Sequence, residues 1–198
     1  MITPTGTVPM APDALTGAFT DAPVQAARAF RALLEVMARP GTIHCVTGAA
    51  PPHPVSVAAG VALLTLADGT TPVHLAGAHD VQPVRDWITF HIGAPLVGAP
   101  EAQFALGTWD ALQPIARFAE GLPDYPDRSA TLIVEMAALA AAGARLTGPG
   151  IETEAFLSVP DIATLRANRA RFPLGYDCLF TAGADVAGLP RSTIVEDV

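Results

Sequence analysis

The chain has 198 residues and a mass of 20.4 kDa, the length of one domain with room for a core. It carries 11 basic and 19 acidic side chains, a formal net charge of −8, so it lacks the basic face that neutralises nucleic-acid phosphates. All the basic residues are arginine. Without a lysine, neither P-loop nucleotide hydrolysis nor Schiff-base pyridoxal-phosphate chemistry is available to it.

Charged residues make up 15% of the chain, where about 25% is usual for soluble domains. A folded monomer of this mass exposes roughly 8,800 Å². So thin a charge cover predicts either a surface of small apolar residues or a face covered by other chains. The excess of Ala, Arg and Pro without Lys also fits genomic base bias. Cys45 and Cys178 have neither zinc nor redox spacing and read as small buried hydrophobes in a reducing compartment. No signal-peptide pattern opens the chain. In the uncharged stretch 40–67, Pro51, Pro52 and Pro54 leave about 13 apolar residues, too few to span a bilayer. The expectation is a cytoplasmic protein without membrane contact.

Residues 1–20 are Pro-, Thr- and Gly-rich and read as a loose arm, with a single α/β domain over 21–198. Asp21 and Pro23 open a helix whose apolar face is read as Ala26, Phe30, Leu33, Leu34 and Met37, and Pro40-Gly41 stops it. Residues 42–47 read as a strand, 55–67 as a helix buried all round, and 72–76 as a short strand. A helix over 81–90 puts Val84, Trp87, Ile88 and His91 on one side. Residues 95–97 and 103–106 suit strands, 109–118 a weak helix and 120–129 a surface loop. Residues 131–136 and 144–147 are strands, and 161–171 a helix. Residues 178–181, 186–189 and 193–196 read as a closing β-meander. Helices alternating with buried strands before an antiparallel tail predict an α/β layered sandwich with a mixed sheet.

Catalytic signals are weak. The five histidines form no H-E-x-x-H, and His74 and His79 flanking one loop are permissive for a metal without specifying one. His91 suits either a cap on helix-end carbonyls or a base or anion ligand. No serine sits in a G-x-S-x-G elbow. Gly148-Pro149-Gly150 reads as a plain turn, because Pro149 removes one of the N–H groups an anion nest needs. Arg166, Arg169 and Arg171 form the densest positive spot. It suits a phosphate-bearing ligand, the dipole of their own helix, or an acidic partner. Arg31 and Arg191 are read as partners of Asp68 or Asp177. The residues by themselves indicate an α/β domain without a catalytic constellation.

Five motifs in register add a resemblance. They are Phe30-Arg31-x-Leu33-Leu34-x-x-Met37-x-x-Pro40-Gly41, then Leu63-Leu64-Thr65-Leu66-Ala67-Asp68-x-x-Thr71-Pro72-Val73, then Phe90-His91-x-x-Ala94-Pro95-Leu96-Val97. Thr131-Leu132-Ile133 with Arg145-Leu146-Thr147-Gly148-x-Gly150-Ile151 is the fourth. Phe172-Pro173-Leu174-Gly175-x-Asp177 with Leu189-Pro190-Arg191-x-Thr193 is the fifth. In this order they resemble the H subunit of the bacterial carbon–phosphorus lyase complex, over about residues 21–196. Residues before Asp21 and residues 101–129 match poorly.

The resemblance implies a three-layer sandwich with a mixed sheet, similar to the large domain of pyridoxal-phosphate transferases but without that cofactor. It implies a homodimer that joins the G, I and J subunits. The implied function is that of a non-catalytic subunit, inactive alone, of a multi-protein transferase. That enzyme displaces adenine from ATP with an alkylphosphonate, giving a ribose 1-phosphonate 5-triphosphate for phosphonate use. The later radical cleavage needs clustered cysteines, which this chain lacks. Neither a metal nor any cofactor is expected in the chain. The matching polar residues, Arg31, Asp68, Thr71, His91, Arg145, Asp177, Arg191 and Thr193, form the candidate ligand-binding set. The alternative function is a nucleotide- or phosphonate-binding protein with its own Arg/His site.

Overall fold

The computed structural model describes residues 15–198. The arm expected over 1–20 falls mainly on residues 1–14, outside that range. From Thr16 onward the chain is tied to the body. The Trp87 indole and the His91 Nε2–H both donate to the Thr16 carbonyl at 3.1 Å, and the Ala50 N–H donates to the Gly17 carbonyl at 2.8 Å.

Helix α1 spans Ala22–Ala38. The Asp21 side chain makes no cap bond; instead Gln25 Oε1 accepts the Asp21 N–H at 2.7 Å, as the return arm of a capping box does. After β1 (Ile43–Cys45), helix α2 (Val57–Leu66) starts where Ser56 Oγ accepts the Ala59 N–H, and it is buried continuously from Ala58 to Leu63. Strand β2 (Val73–Leu75) leads through a 3₁₀ turn to α3 (Gln82–His91) and β3 (Phe104–Thr108). The expected strand at 95–97 is reduced to one bridge, Val73 to Leu96. The helix expected over 109–118 is one turn, α4 (Trp109–Leu112), because Pro114 has no N–H to continue it.

Three expectations fail further along. Residues 120–129 form not a loop but a hairpin, β4 (Glu120–Leu122) and β5 (Tyr125–Ser129). Its prolines fit because a two-stranded ribbon leaves one edge of each strand unpaired. After β6 (Thr131–Glu135), β7 (Ala144–Thr147), β8 (Ala155–Leu157) and α5 (Ile162–Arg169), the meander stops short. Strands β9 (Asp177–Ala182) and β10 (Asp185–Leu189) do form a hairpin. Pro190 then interrupts the ladder, the Thr193 N–H turns back to its carbonyl at 3.0 Å, and β11 (Ile194–Glu196) pairs with β7 in another sheet. Cys45, expected to be buried, is exposed, because β1 is an edge strand; Cys178 is buried, and desolvation pushes its thiol pKa up, so it is unreactive.

The main sheet has the order β1-β10-β9-β6-β3-β2. Strands β2, β3, β6 and β9 are mutually parallel, and β10 is antiparallel to both of its neighbours, so the sheet is mixed as the sequence predicts. Alternation along each strand divides the core. Leu106, Ile133, Leu179 and Val186 face α1, α2 and α3. Ala105, Leu132, Val134, Phe180 and Ala187 face the other way, onto α4, α5 and the β11-β7-β8 sheet. No helix among the described residues is long and apolar enough to cross a membrane.

Helix α1 differs most from its sequence reading. It buries Ala29, Leu33 and Val36, while Phe30 is 51% and Leu34 56% exposed. Both 29/33/36 and 30/34/37 run at i, i+4, i+7, so either stripe could have been the core face. The close approach of helix to sheet selects the slimmer one. At Gly188 of β10 an added Cβ would lie 2.7 Å from the Val36 carbonyl oxygen and 2.8 Å from Met37 Sδ. The turn at Gly150, with φ +82°, presses on the same helix end, where a Cβ would collide with the Ala38 carbonyl. Gly188→Ala is therefore expected to lower stability by about 1–3 kcal/mol through overpacking, read by denaturant unfolding. An unchanged midpoint would show that the helix can lift without cost.

Candidate functional site

The structure distributes the eight candidate residues over several places. Asp68 and Thr71 close the loop between α2 and β2. Asp68 Oδ1 accepts from the Thr70 hydroxyl (2.7 Å), the Thr70 N–H (2.8 Å) and the Thr71 hydroxyl (2.9 Å). These bonds, the Thr70 hydroxyl first, hold the Asp68 carboxyl below the usual range. His91 ends α3, stacks near Trp87 and Phe90, and pins Thr16 instead of a helix-end carbonyl. Arg145 on β7 joins Glu154 (2.8 Å) and Glu196 (2.7 Å), its register partner on β11. The two carboxylates, Glu154 foremost, raise its pKa.

Arg191 follows β10, and Asp177 begins β9. Their pairing, one of those the sequence allows, is formed. The Arg191 N–H and Nε donate to Asp177 Oδ1 at 2.8 and 3.1 Å, and Nη2 to Oδ2 at 2.6 Å. Arg191 Nη1 also donates to the Pro126 carbonyl at 2.8 Å and Nη2 to Ser129 Oγ, so one guanidinium fastens the β4–β5 hairpin to the sheet. The Arg191 side chain is only 12% exposed. Thr193, two residues on, is buried with its hydroxyl unpartnered. The Arg166/Arg169/Arg171 spot is likewise committed. Arg166 reaches the Val195 carbonyl and Asp197, Arg169 lies over Phe172, and Arg171 pairs with Glu120.

Arg31 is the exception. It is exposed on α1 and, among the described residues, has no hydrogen-bond or ion-pair partner. It adjoins two features of the same helix. On one side Phe30, Leu34 and Met37, with Leu66 and Phe104, line an apolar groove of about 200 Å³ whose rim includes Asp177. On the other, Arg28, Arg31, Glu35 and His44 line a groove against β1. Arg28 and His44 are absent from the sequence-derived set. The available signal was that Arg28 has no carboxylate three or four residues away on its helix.

A second overlooked group is His79, in the turn after β2. It is 3% exposed, and neither ring nitrogen has a partner. It lies among the carboxyl ends of the parallel strands, with Glu135 and His53 near enough to act on it electrostatically. Glu135 itself accepts the Ser56 N–H (2.7 Å) and the Thr181 hydroxyl (3.1 Å), placing a carboxylate at the α2 N-terminus. Desolvation, ahead of the opposing effect of Glu135, lowers the His79 pKa. His74 is separately engaged: its Nδ1 meets the Val97 carbonyl at 3.0 Å and its ring the edge of Phe118. Among the described residues no group of three or more His, Cys, Asp or Glu could hold a metal ion.

Two outcomes follow from this geometry. Arg191→Leu leaves the partly buried Asp177 carboxylate unpaired, and a loss of about 1.5–3 kcal/mol in denaturant unfolding is expected; a loss below about 0.5 kcal/mol would mean that the pair is dispensable. For His79, the unfolded ring takes its proton near pH 6.5 and the folded ring only at lower pH. Stability is therefore full above that value and falls as pH drops through the window below it, by at most about 1.4 kcal/mol per pH unit. His79→Leu should flatten this part of the profile, and equal slopes in both proteins would contradict it.

Comparison with known proteins follows the same lines. Residues 17–196 match the family model described as bacterial phosphonate metabolism protein (PhnH). The chain is 40% identical over 190 residues to the alpha-D-ribose 1-methylphosphonate 5-triphosphate synthase subunit PhnH of Rhizobium meliloti, covering 91% of this chain and 95% of that one. It is 29% identical over 175 residues to the putative C-P lyase subunit protein HtxG of Stutzerimonas stutzeri, covering 83% of each. A family match spanning nearly the whole described chain places this protein in the PhnH family of bacterial phosphonate metabolism proteins.

Proposed function

We propose that this chain is an accessory, non-catalytic subunit of the carbon–phosphorus lyase system. In this reading it is required for the transfer of an alkylphosphonate onto the ribose triphosphate of ATP, and it has no turnover alone. The observation that carries this is near full-length likeness to a synthase subunit, joined to an apolar groove on α1. Most candidate polar residues are engaged in internal ion pairs and turns, which supports a scaffold over an active site. The α/β unit over 21–198, with parallel strands between layers, supports the likeness to pyridoxal-phosphate transferases; the chain has no lysine to bind that cofactor. It works in the cytoplasm, as a homodimer when isolated, and it joins the G, I and J subunits.

The apolar groove is the face we assign to this assembly. Phe30 and Leu34 are half exposed, so charging them leaves the core intact. A tagged chain from phosphate-starved cells should recover the other subunits in fixed ratio. Phe30→Glu/Leu34→Glu should fold within about 0.5 kcal/mol of the parent. It should also lose the co-purifying subunits and growth on methylphosphonate as phosphorus source. Release of adenine from ATP and methylphosphonate by the isolated chain would overturn the accessory reading, and full recovery of partners by the double variant would overturn the assigned face.

A further inference from the structure

We infer that the groove between α1 and β1 binds a phosphate-bearing anion, through Arg28, Arg31, His44 and the amide of Gln25. The inference starts from how the arginines are used. The chain has 11 arginines and 19 carboxylate side chains, so every arginine could find a partner. Most pair with carboxylates: Arg39 with Glu35, Arg85 with Asp80, Arg145 with Glu154 and Glu196, Arg166 with Asp197, Arg171 with Glu120, and Arg191 with Asp177. Arg117 holds the Ala111 carbonyl, and Arg128 and Arg169 lie over aromatic rings. Among the described residues, only Arg28 and Arg31 are left without any such contact.

These two stand three residues apart on one helix, so their guanidinium groups are neighbours and repel. Glu35, one turn on, is correctly spaced for Arg31, but it is bound to Arg39 at 2.9 Å. The Glu35 carboxylate itself lines this groove, neutralised by Arg39, and the remaining polar groups there can donate. Gln25 spends its side-chain oxygen on the Asp21 N–H and the Thr20 hydroxyl, which leaves its NH₂, beside Gly48, as an uncommitted donor at the groove. Thr47 adds a hydroxyl from the loop after β1, and His44, half-buried on the edge strand, adds a ring N–H. Two adjoining cavities, of about 270 and 330 Å³, share Arg28 and Ala32. That is the size range of small-molecule sites.

A recess with two unpaired guanidinium groups, further donors and one carboxylate already neutralised by Arg39 is matched by an anion with several acceptor oxygens. Guanidinium forks bind phosphoryl and phosphonyl groups in a bidentate manner, which favours these over a carboxylate or chloride. The ligand chemistry is shared by two sources, a phosphonate and the phosphate chain of a nucleotide. The site does not depend on the assembly reading, because it lies within one chain and is open in the isolated protein.

The test is calorimetric titration of the purified full-length chain at low ionic strength with methylphosphonate, inorganic phosphate and tripolyphosphate, alongside an acidic peptide. Saturable binding of at least one phosphorus anion is expected, weakened about tenfold or more in Arg28→Gln/Arg31→Gln and severalfold in His44→Ala. Arg85→Gln, remote from the groove, should bind as the parent does. Thermal unfolding of each variant confirms that it is folded. Tighter binding of methylphosphonate assigns the phosphonate, and tighter binding of tripolyphosphate assigns a nucleotide tail. Absence of saturation by all three anions up to about 10 mM, or equal binding by the double variant, overturns the inference. Binding of the acidic peptide alone also overturns it, in favour of a protein partner. Loss of anion binding with intact co-purification, or the reverse, separates this site from the assembly role.

Discussion

The seating of α1 on β10 is the contact on which the other features depend. It requires a residue without a side chain at Gly188, where the helix backbone comes down on the strand, and another at Gly150, where a turn meets the helix end. That approach places Ala29, Leu33 and Val36 in the core and turns the bulkier Phe30 and Leu34 outward. The same rotation carries Arg28 and Arg31 to the side of the edge strand. One packing event thus generates both an apolar groove and an arginine-bearing groove on the two flanks of a single helix. A larger residue at position 188 would rotate or lift the helix and dissolve both.

Charge is organised economically around this arrangement. The chain has few ionic side chains, and they are placed at junctions. Asp177–Arg191 ties a hairpin to the main sheet, Arg145 joins three segments of the small sheet, and Glu135 fixes the start of α2. The partly buried Asp177–Arg191 pair contributes mainly by fixing geometry, since desolvation offsets part of its attraction. The exposed pairs elsewhere contribute little each. In such a molecule two unpartnered cations side by side are a departure from the pattern, as is the buried, unbonded His79. Departures from an otherwise satisfied network are where function and strain concentrate.

Much of the chain was legible in its sequence because the relevant physics is local. The continuous apolar run of α2, the apolar run of β6 at Leu132–Val134 and the Pro40-Gly41 stop depend only on nearby residues. So does the absence of lysine, which removes whole classes of chemistry without reference to any structure. The family motifs were readable for the same reason, although the polar residues within them turn out to serve separate junctions. The hairpin at 120–129 was hidden because its prolines and charges mimic a loop, and what holds it is an arginine about 65 residues away.

The sequence by itself determined the class of fold, most helices and buried strands, the family, and the exclusion of lysine-dependent chemistry. Tertiary structure alone decided which of two equivalent stripes on α1 is buried, because both satisfy the helical period and only the close approach at Gly188 distinguishes them. It alone sent β11 to the second sheet, since pairing between distant strands leaves no local signature. It also decided which arginines are neutralised. An ion pair is a fact about two side chains brought together by folding, so the pair left over could be recognised only once all the others had found their partners.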